Sequence, residues 1–167
     1  MRATAIFLSL ALVGSVFSPQ PLEGQYPLLD PDEPCYKVMW EVFLIPLDAQ
    51  AEIWGEPDDL AFYYSGLLRI LKSQLATIKE YKPDEEWTKE EREAELSRLS
   101  AAKNCLPTLV AMIRRIDERL KLLGIDQIMD ASRRHVAREE VTKQLEEATK
   151  EYEAALEVAL KSLGVRG

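Results

Sequence analysis

The chain has 167 residues and a formal net charge of −8; 47% of its residues are hydrophobic and 30% are charged, with one His and two Cys. This length fits one domain, and the acidic balance opposes sequence-independent binding to nucleic acid or to an anionic membrane surface. A Ser/His/Asp triad or a zinc site would depend on His135, and the sequence has no Gly-rich phosphate loop or nucleophile elbow, so it favours a protein that is not an enzyme and uses no cofactor.

The first 24 residues have the pattern of a secretory signal peptide. Arg2 precedes thirteen uncharged, mostly apolar residues from Ala5 to Phe17. At about 1.5 Å per residue they cover roughly 20 Å, less than the roughly 30 Å hydrocarbon core of a bilayer. We expect cleavage between residues 15 and 24, with Gly24 preferred, and a secreted, extracellular mature protein without a transmembrane segment. A buried N-terminal helix is the alternative.

The mature chain is predicted to have a Pro-rich arm at 25–33 and a single helical domain at 34–164. The first helical segment, 34–54, begins beside prolines, and Pro46 should kink or end it. Its stretch 38–45 is apolar on nearly every side, which is typical of a helix enclosed by others. The second helix is expected at 57–81, where apolar residues recur every three or four positions.

The third helix is predicted at 88–123. Thr88 and Glu91 match the capping-box pattern at its start, and Gly124 suits its C-terminus. An apolar seam with spacings of three and four continues through Pro107 without losing phase, so we expect Pro107 to lie inside this helix.

The fourth helix is predicted at 126–163, capped by Asp126, with a break near Ser132 as an alternative. No segment alternates with period two over a useful length, and no hairpin dipeptide is present, so we expect no strand. Long helices with this spacing and short connections predict an all-α antiparallel bundle of about four principal helices. A long two-helix coiled-coil hairpin is the alternative.

The two cysteines, Cys35 and Cys105, are expected to form one inter-helix disulfide. Export permits such a bond, and the pair allows a single connectivity. A redox or catalytic role lacks support because the sequence has no C-x-x-C motif and His135 lies thirty residues from Cys105. Two buried free thiols or an intermolecular bridge are the alternatives.

Two functions agree with this pattern. The first is a secreted protein that binds another extracellular protein, as cytokine-like or effector-like bundles do by layout; the second is an extracellular carrier of a hydrophobic small ligand such as a fatty acid. The carrier hypothesis rests on an excess of aromatic residues, which could contact either ligand or partner: Trp40, Phe43, Trp54, Phe62, Tyr63 and Tyr64.

A group of basic residues surrounds the predicted turn at Gly124, opposite in sign to the whole chain. If these residues form one patch, it could receive an acidic partner or a carboxylate headgroup; ordinary surface charge is the alternative. The group consists of Arg114, Arg115, Arg119, Arg133, Arg134 and Arg138, with Lys121 among them. His135 and Glu139 are too few to bind a metal and are expected to be solvated.

Overall fold

The computed structural model describes residues 29–47, 56–130 and 132–164. The predicted signal peptide and Trp54 lie outside these residues. The helices of the described chain are α1 (Tyr36–Glu41), α2 (Pro57–Lys79), α3 (Lys89–Leu122) and α4 (Arg138–Gly164), and an antiparallel hairpin of β1 (Gln127–Met129) and β2 (His135–Ala137) connects α3 to α4. The predicted all-α bundle is confirmed: α4 packs against both α2 and α3, and α1 packs against α3.

The disulfide between Cys35 and Cys105 is also confirmed. It joins the residue before α1 to a buried position in the middle of α3, with the two Cα atoms 5.5 Å apart. Part of the predicted arm lies in the described chain as well, and there Leu29 is buried in the core. The start of the described chain is thus attached to the bundle by the disulfide and by the burial of Leu29.

The long helices follow the apolar seams of the sequence. Thr88 and Glu91 form the complete capping box at the start of α3, each side chain bonding the backbone of the other residue. Pro107 lies inside α3, as predicted, with its ring exposed. The seam on both sides of Pro107 is buried against α4 and α1, so the missing N–H of Pro107 costs one hydrogen bond without turning the helix out of the core.

The first helix is shorter than predicted. It ends at Glu41 instead of continuing toward Trp54, and Leu44 adopts a left-handed backbone with φ of 57°. Pro46 disfavours a helical conformation at the residue before it. The chain continues as an irregular segment in which Ile45 and Leu47 are buried while Leu44 and Pro46 are exposed. Ile45 and Leu47 are therefore buried by alternation along this segment, and not by enclosure of a long helix.

The prediction that the fourth helix begins at Asp126 was wrong, as was the expectation of no strand. Gly124 ends α3 with a φ of 72°, and Ile128 of β1 pairs with Val136 of β2. The backbone N–H of Arg138 then donates to the carbonyl of Asp126 at 2.9 Å, which closes the hairpin where α4 begins. Strands of three residues carry too little alternation to be recognised from the sequence.

Candidate functional site

Three of the aromatic residues singled out in the sequence fill the core. Phe43, Tyr63 and Tyr64 are buried, and the ring centroid of Phe43 lies 5.4 Å from that of Tyr152 on α4. The Tyr63 hydroxyl donates to the carbonyl of Pro46 at 2.9 Å. These side chains therefore join the 44–47 segment, α2 and α4 to one another.

The space left between these elements is very small. A void of about 10 Å³ lies among apolar side chains of the 43–45 segment, α2, α3 and α4, including Phe43 and Leu145. That volume is about the minimum needed for one water molecule. A lipid-sized ligand would have to displace the side chains that now fill this region.

Two other aromatic residues of the set lie at the surface. Phe62 on α2 is 71% exposed and Trp40 on α1 is 49% exposed. Large aromatic side chains are enriched in protein interfaces and are often the residues that contribute most to binding. Trp54, the sixth residue of the set, lies outside the described residues.

The basic residues around Gly124 lie in different environments. Arg138 is buried, and its Nη1 donates to Oδ1 of Asp117. Arg119 is half-buried, whereas Arg114 and Arg115 are exposed on α3. Arg133 and Arg134 lie in the hairpin turn, where Arg133 has a φ of 60°. The cluster in the sequence is thus divided among the interior, the α3 surface and the hairpin.

Arg138 belongs to a polar network inside the bundle. The Thr142 hydroxyl lies 2.7 Å from Oδ1 of Asp117, and the Tyr64 hydroxyl donates to Thr142 at 3.1 Å. Burial raises the pKa of Tyr64 above its usual range, so this hydroxyl keeps its proton and remains a donor. The network links α2, α3 and α4.

Arg114 lines a groove of about 440 Å³ between α3 and α4, beside Pro107 and Val110. The opposite wall carries Glu146, Lys150 and Glu153, so acidic and basic groups are balanced there. This groove has no charge preference for an acidic partner.

A different groove does have a basic rim. It lies where α2, the hairpin and α4 meet, has a volume of about 440 Å³, and is lined by three basic side chains, Arg69, Lys72 and Arg134. We call it the hairpin groove. Arg69 and Lys72 were not among the predicted site residues, although both follow Ser65 and Leu68 on one face of α2 at helical spacing.

The hairpin that forms one wall of this groove is organised by Asp130. Its Oδ1 accepts bonds from the Ser132 hydroxyl at 2.6 Å and from the Arg134 backbone N–H at 3.0 Å, and its Oδ2 pairs with the Arg134 guanidinium at 3.2 Å. The bond from the Ser132 side chain, followed by that from the Arg134 backbone, lowers the pKa of Asp130 to about 2. Asp130 therefore stays ionised and holds Arg134 over the groove.

His135 lies exposed in β2. Among residues 29–47, 56–130 and 132–164, no three or more His, Cys, Asp or Glu side chains are arranged to bind a metal ion. Within the same ranges, no helix is both long and apolar enough to cross a membrane. Comparison of the chain with protein-family models, curated proteins and solved structures finds no match.

Proposed function

We propose that the protein is secreted and acts outside the cell by binding another protein, without catalysing a reaction. The observation that carries this proposal is that some of the aromatic residues lie in the core and others lie at the surface. Phe43, Tyr63 and Tyr64 fill the interior and leave a void of about 10 Å³, while Trp40 and Phe62 remain exposed. A filled core with aromatic side chains at its surface supports binding by surface contact.

Export is supported by two independent features. Residues 1–24 have the charge and length pattern of a signal peptide. The Cys35–Cys105 disulfide is consistent with an oxidising compartment, where such bonds form and persist.

The alternative function, a carrier of a hydrophobic small ligand, requires an apolar cavity of about 300–1,000 Å³. The space at the level of Phe43 is far smaller, at about 10 Å³. The larger spaces, of about 440 Å³, are grooves lined partly by charged side chains such as Arg69 and Arg114. No structural observation favours the carrier over the protein-binding role.

The proposal is tested by capture from the extracellular fluid into which the protein is released. The wild-type protein is immobilised beside a Phe62→Ser variant, a Trp40→Ser variant and a matched control, Leu122→Ser, which changes a residue that is 81% exposed on α3. We expect a protein partner that the wild type and the control retain and that at least one aromatic variant loses. The proposal would be overturned if a monomeric wild type retained no protein. It would also be overturned if the same preparation bound a fluorescent fatty acid in its core.

A further inference from the structure

The hairpin groove combines an apolar floor with a basic rim. Leu68, Val136 and Val141 form the apolar surface, and Arg69, Lys72 and Arg134 stand around it. Val141 is buried, whereas all three basic residues are exposed. The groove can therefore contact apolar groups at its base and anions at its edge.

The charges of Arg69 and Lys72 are not neutralised within the described structure. No ion pair among its residues includes either side chain, although nine pairs form elsewhere. Lys72 Nζ donates to the neutral amide oxygen of Gln144 at 2.6 Å, and the Gln144 amide nitrogen in turn donates to Glu140 at 2.8 Å. Gln144 thus positions the ammonium group without removing its charge, and two of the three N–H donors of Lys72 remain available.

One carboxylate, Asp130, lines this groove, and a second, Glu140, accepts a hydrogen bond from Gln144; neither pairs with Arg69 or Lys72. Asp130 accepts a hydrogen bond from Ser132 and forms an ion pair with Arg134 within the hairpin turn, so it neutralises the charge of Arg134 alone. Glu140 bonds Gln144 rather than a basic side chain. The groove lining keeps a net charge of about +2 in a chain whose formal net charge is −8.

We propose that the hairpin groove binds a segment of a partner protein that carries both carboxylate and apolar side chains. This inference rests on the proposed function and adds the chemistry of the partner. An acidic segment is repelled by most of this acidic surface and attracted at the groove, so the charge pattern fixes where and how the partner docks. Arg69 offers a planar, bidentate donor for a carboxylate, and Leu68 and Val136 offer contact for a neighbouring apolar side chain.

The experiment selects ligands without knowledge of the partner. A library of random twelve-residue peptides is displayed and selected against the full-length mature protein, and the selected peptides are sequenced. We expect enrichment of Asp and Glu together with apolar residues relative to the unselected library. A selected set without acidic enrichment would overturn the proposal.

The location of binding is tested by charge-neutralising variants. Labelled selected peptides are titrated by fluorescence anisotropy against wild type, against Arg69→Gln/Lys72→Gln, and against a matched control, Arg114→Gln/Lys121→Gln, whose residues are exposed on α3. Because each exposed charge pair contributes a few-fold to affinity, the groove variant should raise Kd roughly tenfold, and added salt should weaken wild-type binding. The control should stay within about twofold of wild type. An equal Kd for wild type and the groove variant, or displacement of the peptide by dodecanoate, would overturn the proposal.

The two proposals fail separately. Peptides that bind the protein but are lost with Phe62→Ser, and not with Arg69→Gln/Lys72→Gln, would contradict the groove assignment and leave protein binding intact. A protein that selects no peptide and captures no partner would contradict both.

Discussion

The ion pair between the buried Arg138 and the half-buried Asp117 should stabilise the fold as a pair, not as two independent charges. The Arg138 side chain is 7% exposed and that of Asp117 is 22% exposed. Glu139 Oε1 also lies 3.9 Å from Arg138 Nη2, but the Glu139 side chain is 89% exposed and well solvated. Replacing Asp117 by Leu therefore leaves the Arg138 cation inside the bundle without a close counter-ion.

The expected cost follows from this geometry. Leaving one charge of a buried pair unpaired costs about 3–5 kcal/mol, whereas replacing both partners by apolar residues is often neutral or stabilising. We expect Asp117→Leu to lower the free energy of unfolding by about 3 kcal/mol, since the Thr142 hydroxyl also loses Asp117 as an acceptor and keeps only the carbonyl of Arg138. Arg138→Met should cost about 2 kcal/mol, because Asp117 keeps the Thr142 bond and some contact with water. The double variant should lie within about 1 kcal/mol of wild type.

Urea unfolding of the oxidised protein, followed by circular dichroism, measures the three variants against wild type. The midpoints should shift while the slope with urea stays constant. Additive losses, with the double variant about 5 kcal/mol less stable than wild type, would show that the two charges act independently and would contradict this prediction. So would a loss below about 0.5 kcal/mol for Asp117→Leu, since Arg138 would then have an adequate alternative partner.

Three further predictions concern the fold and the groove wall. Replacing Cys35 and Cys105 by Ala should lower the free energy of unfolding by roughly 4 kcal/mol, because the bond closes a loop with a sequence separation of 70; a loss under about 1 kcal/mol in urea unfolding would contradict this. Hydrogen bonds lower the pKa of Asp130 to about 2. Their stabilisation of the hairpin turn should therefore be present above about pH 4 and lost as the pH falls through 2. Amide NMR shifts of the turn that titrate with a midpoint near pH 4 would be inconsistent with those bonds. Tyr64→Phe removes the donor to Thr142 and should cost about 1 kcal/mol in the same urea assay; an unchanged midpoint would show that this bond adds nothing.

The parts of the fold that follow local rules could be predicted from the sequence. The capping box at Thr88 and the unbroken seam through Pro107 predicted α3, and the cysteine pair predicted its link to α1. The predicted secondary structure was wrong where local signals in the sequence were weak or ambiguous. A continuous apolar run leaves the helix at Leu44 and Pro46 and becomes an irregular segment, and each strand of the hairpin is only three residues long.

The candidate site could be predicted less well, because it depends on distant residues meeting. Closeness in sequence suggested that Arg114 and Arg138 share a patch, yet Arg138 points into the core toward Asp117. Arg69 and Lys72 form the hairpin groove only because the unpredicted hairpin places Arg134 beside them. The helical spacing of Arg69 and Lys72 indicated that they share a face of α2, but it did not indicate which element packs beside that face.

Site-specific cross-linking at Phe62 tests whether the protein acts by surface contact with another protein. A photoreactive phenylalanine analogue is placed at position 62 and, as a control, at the position of Val158, which is 69% exposed on α4. Irradiation in the extracellular fluid should give a protein adduct of defined mass from position 62 and none from position 158. Equal adducts from both positions would contradict protein binding at this surface. So would the absence of any protein adduct together with a lipid bound to the wild type in native mass spectrometry.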